Sequence, residues 1–231
     1  MGSEILLGLL KIIFINIVLS GDNAVVIALA CRNLQADQQS KAIFWGSFGA
    51  VGLRVILTLI AVWLLQIPFV QVAGGILLLY ISIKLLKNNE GEDNIHSSNH
   101  MGEAIKTIIF ADLIMSLDNV LAVAGAAGGN FLLIGLGLII SIPLIIWGSQ
   151  VLMRLMNRFP IIVTLGAGVL GYTAGEMILK DQAIGGLLEK MSSYIHYLFP
   201  LVLVLMVVII GKLINRGKKH ELASETVETS I

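Results

Sequence analysis

The chain has 231 residues, of which 57% are hydrophobic and only 13% charged. Soluble domains carry about 25% charged residues, so a water-soluble globule is excluded. The formal net charge is zero, which gives no electrostatic case for a nucleic-acid partner, and the single cysteine, Cys31, excludes an internal disulfide or a thiolate metal cluster.

A mean hydropathy of +0.92 reads as an integral membrane protein, with room for about seven helical spans of ~20 residues each. No cleavable signal peptide is expected, because Met1 to Glu4 carries no basic segment. Span 1 is predicted over Ile5 to Ala30 and is followed by a polar loop to Lys41. Span 2 covers Ala42 to Leu65 and contains Arg54. Pro68 opens the approach to span 3, Val70 to Leu86, which carries Lys84 near its end. Residues 87–103 form the most polar interior segment and read as a loop between two halves. Their acids and His96 and His100 match no metal-ligand spacing, so a solvated charged loop is the expectation. Span 4 covers Ala104 to Ala127, Gly128 to Asn130 is a tight turn, and span 5 covers Phe131 to Leu152. Span 6 covers Ile161 to Leu179 and includes Glu176. The connection from Lys180 to Tyr194 is expected to hold a short amphipathic helix around Leu187 and Leu188. Span 7 covers Ile195 to Ile214, and residues 215–231 read as a disordered tail. Trp45, Trp63 and Trp147 read as interface or packing residues.

The basic residues settle the expected orientation. Arg32, Lys41, Lys87, Arg154, Arg158, Lys212, Arg216, Lys218 and Lys219 fall at loops 1, 3 and 5 and the C-terminus, which are then cytoplasmic; the N-terminus is outside.

One pattern is written twice. Span 1 contains Asn16, then Ser20-Gly21-Asp22-Asn23; span 4 contains Asp112, then Ser116-Leu117-Asp118-Asn119. Two like segments separated by three spans cross the bilayer in opposite directions, which is the signature of an inverted repeat. The segment from Gly74 to Tyr80 in span 3 resembles Gly166 to Tyr172 in span 6, and Lys84 and Glu176 each follow four residues after the tyrosine. The predicted fold is therefore all-α: seven transmembrane helices, built as two inverted three-helix units (about 5–86 and 104–179) plus a seventh helix (about 195–214), in one transporter domain.

Asn16, Ser20 and Asn23 lie at i, i+4 and i+7, as do Asp112, Ser116 and Asn119, so each set forms one polar stripe that should face the bundle interior. Asp22 and Asp118 sit beside the stripes. A break at Gly21 would bring Asp22 in, whereas Leu117 offers no such help to Asp118. The ligand types are carboxylate, carboxamide and hydroxyl, which suit hard cations such as Mg²⁺, Ca²⁺ or Mn²⁺ and not Cu⁺ or Zn²⁺. Asp22 and Asp118 together would neutralise one divalent ion, and the same carboxylates could take protons when it leaves. Against this stands the plainer role of hydrogen-bonded glue between helices, above all for Asn16, Ser20 and Ser116. Arg54 needs a buried partner, with Asp22 or Asp118 the candidates, while Lys84 can snorkel to the interface. Glu176 is a candidate outer gate or an interfacial residue.

On the doubled Ser-x-Asp-Asn motif the chain resembles the TerC family of bacterial integral membrane proteins, and within it the small seven-span YjbE/YkoY type. The resemblance runs from span 1 to span 7. It implies a cell-membrane exporter of manganese, with the ion as substrate and no resident cofactor, and a kinship with LysE-type exporters. The implied core ligands are Asp22, Asn23, Asp118 and Asn119, with Asn16 and Asp112 at the upstream positions. If relatives carry an acid at both upstream positions, the neutral Asn16 removes one charge here and with it proton coupling through that position. The competing reading is a membrane-embedded assembly factor that aids metallation or insertion of other proteins without transport of its own. An intramembrane hydrolase is not expected, since the sequence lacks His-Glu-x-x-His and Gly-x-Ser-x-Gly.

Overall fold

The computed structural model describes residues 20–64, 66–86, 97–126, 131–184 and 194–228, and among these every regular element is an α-helix. In chain order they are α1 (Gly21–Cys31), α2 (Ala36–Leu64), α3 (Val70–Leu86), α4 (Ser97–Ala126), α5 (Phe131–Arg158), α6 (Ile161–Leu179) and α7 (Ile195–Glu228). The bounds of α3 and α6 coincide with the predicted spans. The tight turn at 128–130 and the amphipathic segment around Leu187 lie outside the described residues.

Four helices run further than predicted: α5 continues past Leu152 to Arg158, and α2, α4 and α7 are extended for local reasons. Helix α2 begins at Ala36, inside the expected polar loop. The Gln35 carbonyl accepts the N–H groups of Gln38 and Gln39, both at 2.9 Å, and Asp37 sits in the first turn, where the helix dipole favours an acid. Helix α4 begins at Ser97, so the last part of the expected 87–103 loop is helical. Helix α7 continues to Glu228 instead of ending near Ile214. In both cases polarity marked where the chain leaves the apolar layer and was read as loss of helix. Sequence 218–228 in fact intersperses Lys, Leu, Ala and Glu, which are strong helix formers.

Four described stretches are long and apolar enough to cross a bilayer: Ala36–Thr58, Gly135–Arg158, Ile161–Leu179 and Ile195–Leu213. Helices α1 and α3 are apolar but shorter. The surface is inverted relative to a soluble protein. Phe44, Trp45, Phe48, Trp147 and Leu201 face outward, while Arg54, Asp112 and Ser116 are buried. Outward apolar faces of this kind need a lipid solvent.

The extensive helix pairings are α2 on α4, α3 on α6, α6 on α7, α1 on α5, α1 on α4 and α2 on α5. Within the first six helices, exchanging α1, α2 and α3 with α4, α5 and α6 maps these pairings onto one another. Small residues permit the closest approaches. A Cβ on Gly75 of α3 would lie 2.8 Å from the Ala174 carbonyl of α6, and one on Gly175 would lie 2.6 Å from the Cα of Pro200 in α7. Backbone cannot yield to such contacts, so glycine is what lets these helices meet.

Polar contacts sort the connections into two ends. At one end Arg32 donates to the Leu85 carbonyl at 3.2 Å, and Lys84 pairs with Glu103. That second pair is about half exposed and contributes little. At the other end Asp181, just after α6, accepts the N–H groups of Phe69 (3.2 Å), Gln71 (3.1 Å) and Val72 (3.4 Å). It thus satisfies the first turn of α3 from across the bundle. Phe69 itself holds φ 66°, an uncommon backbone state for an aromatic residue. Asp181 is 2% exposed. Burial alone would raise its pKa, but the N–H donors of Ala183, Phe69, Val72 and Gln71 outweigh it and hold the carboxyl below its ordinary value.

Candidate functional site

The first copy of the doubled motif sits at a helix start. Ser20 is in a turn (φ −105°, ψ 5°) and α1 begins at Gly21. Gly21 is exposed, and a Cβ there would meet nothing within 4 Å. The Asp22 carboxylate accepts the Asn23 N–H at 2.9 Å. This half-buried acid also lies within electrostatic range of Arg54 and Asp112. Asn23 points inward and is 3% exposed. Asn16 lies outside the described residues.

The second copy lies within the continuous helix α4. There Asp112, 8% exposed, and Ser116, fully buried, meet Arg54 of α2, itself 4% exposed. Arg54 Nε donates to Ser116 Oγ at 2.8 Å and to Asp112 Oδ2 at 3.3 Å. A terminal guanidinium nitrogen binds Asp112 Oδ1. Ser116 in turn donates its hydroxyl to Asp112 Oδ2 at 3.2 Å. The carboxylate is therefore held by a two-pronged fork and a hydroxyl. The expected partners of Arg54 were Asp22 or Asp118, and this is corrected: the partner is Asp112. Helix α2 lies against α4 so that Arg54 reaches Asp112, nearly two turns before the motif acid Asp118. Asp118 is on α4, but its side chain is outside the described set, and Asn119 is half-buried.

Between these two copies lies a small cavity, with room for about one water molecule. Its polar lining is Asn23 from α1, Ser47 and Arg54 from α2, and Asp112 from α4; Ile145 of α5 closes one side. Among the described residues, both polar atoms of the Asn23 amide and the hydroxyls of Ser20 and Ser47 are buried without a hydrogen-bond partner. Buried polar groups are almost always paired, so the orphans of Asn23 and Ser47 in one cavity point to an occupant that binds their oxygens. The oxygens of Asn23, Ser47 and Asp112 form a hard donor set, suited to Mg²⁺, Ca²⁺ or Mn²⁺. Among the described residues no three His, Cys, Asp or Glu side chains gather as a metal centre, so amide and hydroxyl oxygens carry much of the set.

The stripe residues Asn23 and Asp112 thus line the cavity, whereas Asp22 stands beside it. Ser47 was not singled out from sequence. The available signal was its place seven residues before Arg54 in an apolar run, which puts both on one helix face. Lys84 and Glu176 do not line the cavity. Glu176 is half-exposed and lies 3.8 Å from Lys180, one turn on, which suits an interfacial position.

The chain matches the family model described as integral membrane protein TerC family over residues 1–219. It is 45% identical over 209 residues to the uncharacterized membrane protein YjbE of Bacillus subtilis (strain 168), covering 90% of this chain and 95% of that one. It is 27% identical over 208 residues to the uncharacterized membrane protein YkoY of the same organism, covering 81% of this chain and 64% of the relative. A UPF0053 inner membrane protein of Escherichia coli (strain K12), YoaE, is 27% identical over 187 residues, covering 71% of this chain and 36% of that protein. No solved structure matches the chain.

Proposed function

The chain belongs to the TerC family of integral membrane proteins, and from that premise we propose that it is a secondary transporter exporting a divalent cation, Mn²⁺ by preference, across the bacterial plasma membrane. The observation that carries the reading is the pair of unpartnered buried oxygens on Asn23 and Ser47 in a cavity that Asp112 also lines. The donor chemistry supports a hard cation, and the choice of manganese comes from the family resemblance.

The proposed architecture is the inverted repeat of two three-helix units with α7 appended, crossing the membrane seven times with the C-terminus in the cytoplasm. The exchangeable helix pairings and the sorting of connections to two ends support it. In this scheme the ion sits between α1 and α4 and is reached alternately from either face. Asp22 and Asp118 supply two negative charges against the two positive charges of the ion, with Asn23 and Asn119 as neutral ligands. Asp112 adds no net charge, because Arg54 already balances it. Protons taken by Asp22 and Asp118 after release would complete an exchange cycle. The wider kinship with LysE-type exporters belongs to the same proposal, as do a role that is not enzymatic and the absence of a resident cofactor.

The test is flux in liposomes holding the purified protein, with Mn²⁺, Ca²⁺, Mg²⁺ and Zn²⁺, with and without a pH gradient. Mn²⁺ flux is expected in the wild type, and at least a tenfold loss in Asn23→Ala, since one ligand hydrogen-bond or coordination site is worth roughly 1.4 kcal/mol or more. Absence of flux for all four cations would overturn the reading.

A further inference from the structure

We propose that Arg54 is a tethered counter-cation: it occupies Asp112 when the site is empty and is displaced when a divalent ion loads. This rests on the transport reading above and names the residue that sets its affinity and its coupling. Three observations carry it. First, every oxygen of Asp112 is already engaged, Oδ1 by the guanidinium and Oδ2 by the guanidinium and Ser116. Second, Arg54 and Asp112 both line the cavity into which the unpartnered Asn23 and Ser47 groups face. An ion placed there meets a fixed positive charge at close range for as long as the fork stays shut. Third, Arg54 is carried by α2 while its partner is on α4 and the orphaned amide is on α1. Opening the fork therefore changes how two packed helices are held, not merely the rotamer of one side chain.

The charge balance follows directly. With the fork closed, Asp112 and Arg54 cancel, and the site is neutral there without a bound ion or a proton. When the divalent ion takes the Asp112 oxygens, the guanidinium must withdraw from them, and it returns as the ion leaves. Arginine suits this role because it stays charged at any physiological pH, so the replacement cation never has to be drawn from solution. Among the described residues, the titratable groups bearing on Asp112 are Arg54 from α2 and Asp22 from α1; α5 contributes Ile145 to the lining, which does not titrate. The carrier can then reset through the returning guanidinium.

The experiment compares Mn²⁺ flux and its half-saturating concentration in liposomes for wild type, Arg54→Gln and Arg54→Lys, from pH 6 to pH 8. Removing the competitor in Arg54→Gln is expected to lower the half-saturating concentration about tenfold, within the usual range of coupling between two ligands. Maximal net export falls, because the ion lacks a replacement to displace it, while Mn²⁺/Mn²⁺ exchange persists. Arg54→Lys keeps the charge but loses the fork; its half-saturating concentration falls by a smaller factor. A folded Arg54→Gln with an unchanged or raised half-saturating concentration would overturn the inference while leaving wild-type transport standing. If Arg54→Gln does not fold, an unchanged half-saturating concentration in Arg54→Lys overturns it equally. A wild type without flux removes the transport reading and this inference together.

Discussion

The two copies of the Ser-x-Asp-Asn motif have the same residues and opposite environments. In the first, at the start of α1, the Ser20 hydroxyl and the Asn23 amide are buried and unpartnered among the described residues. In the second, inside α4, Ser116 and the upstream Asp112 are closed off by Arg54. The difference lies in the neighbouring helices. Helix α2 brings a buried arginine to α4, whereas among the described residues the buried polar side chains of α5 are Ser141 and Ser149, each donating to a carbonyl of its own helix at 2.7 Å. The sequence is adjusted to match, since Asn16 stands where the second copy has Asp112. Acid with arginine in one half and a neutral amide in the other leave the upstream positions equally uncharged. A repeated motif therefore fixes the chemistry offered, and the partner helix decides which copy is open.

This contrast can be broken from its most strongly held point. Asp112→Ala strands a buried guanidinium, and breaking a buried pair in this way costs about 3–5 kcal/mol; thermal unfolding in detergent should fall accordingly. The double change Asp112→Leu with Arg54→Met should recover most of that stability, because an apolar pair of similar volume is often neutral or better, but without recovering Mn²⁺ flux. An unaltered unfolding temperature in Asp112→Ala would mean the pair is not buried as described.

Asp181→Ala should be the next largest effect on stability, at about 1–3 kcal/mol, since it leaves three N–H groups of the α3 start without their acceptor. The lowered pKa of Asp181 gives the sign of its pH dependence: its contribution is present above the ordinary carboxyl value of 3.8 and is lost as pH falls through the lower folded value. The acid limb of an unfolding profile should therefore flatten in the variant. Asn23→Ala should sharpen the comparison from the open side. It removes groups that make no bond, so stability should change by less than about 1 kcal/mol while flux is lost; a large loss of stability would show that the amide is structural glue. The smallest effect belongs to Gly21→Leu, which gives the first copy the spelling of the second. With open space at that position, stability should stay within about 0.5 kcal/mol, and a change in flux then reports on the helix start itself.

Much of the fold was legible in the sequence where apolar runs were bounded by turn residues. Val70 to Leu86 and Ile161 to Leu179 were predicted to the residue, because Pro68 and Pro160 mark their beginnings. The extensions of α2, α4, α5 and α7 were missed because the apolar pattern reports the membrane layer, and a helix may outlast it. The polar stripe was legible from its spacing, and Asn23, Asp112 and Ser116 are indeed buried. The pairing of Arg54 was not, since periodicity says which face a residue occupies but not which neighbour that face meets. The greater weight given to Asp22 followed charge, whereas lining of the cavity followed the stripe.

The reach of Asp181 across the bundle bears on how the chain is made. Helix α3 emerges from the ribosome more than one hundred residues before the carboxylate that completes its first turn. Until α6 has been inserted and the segment after it delivered, the N–H groups of Phe69, Gln71 and Val72 must be met by water or lipid headgroups, and Phe69 has no anchor for its left-handed backbone. The first half of the molecule is thus finished by the second. A nascent chain stopped before Asp181 would carry α3 with an open end, and closure of that latch marks the moment at which the two halves become one protein.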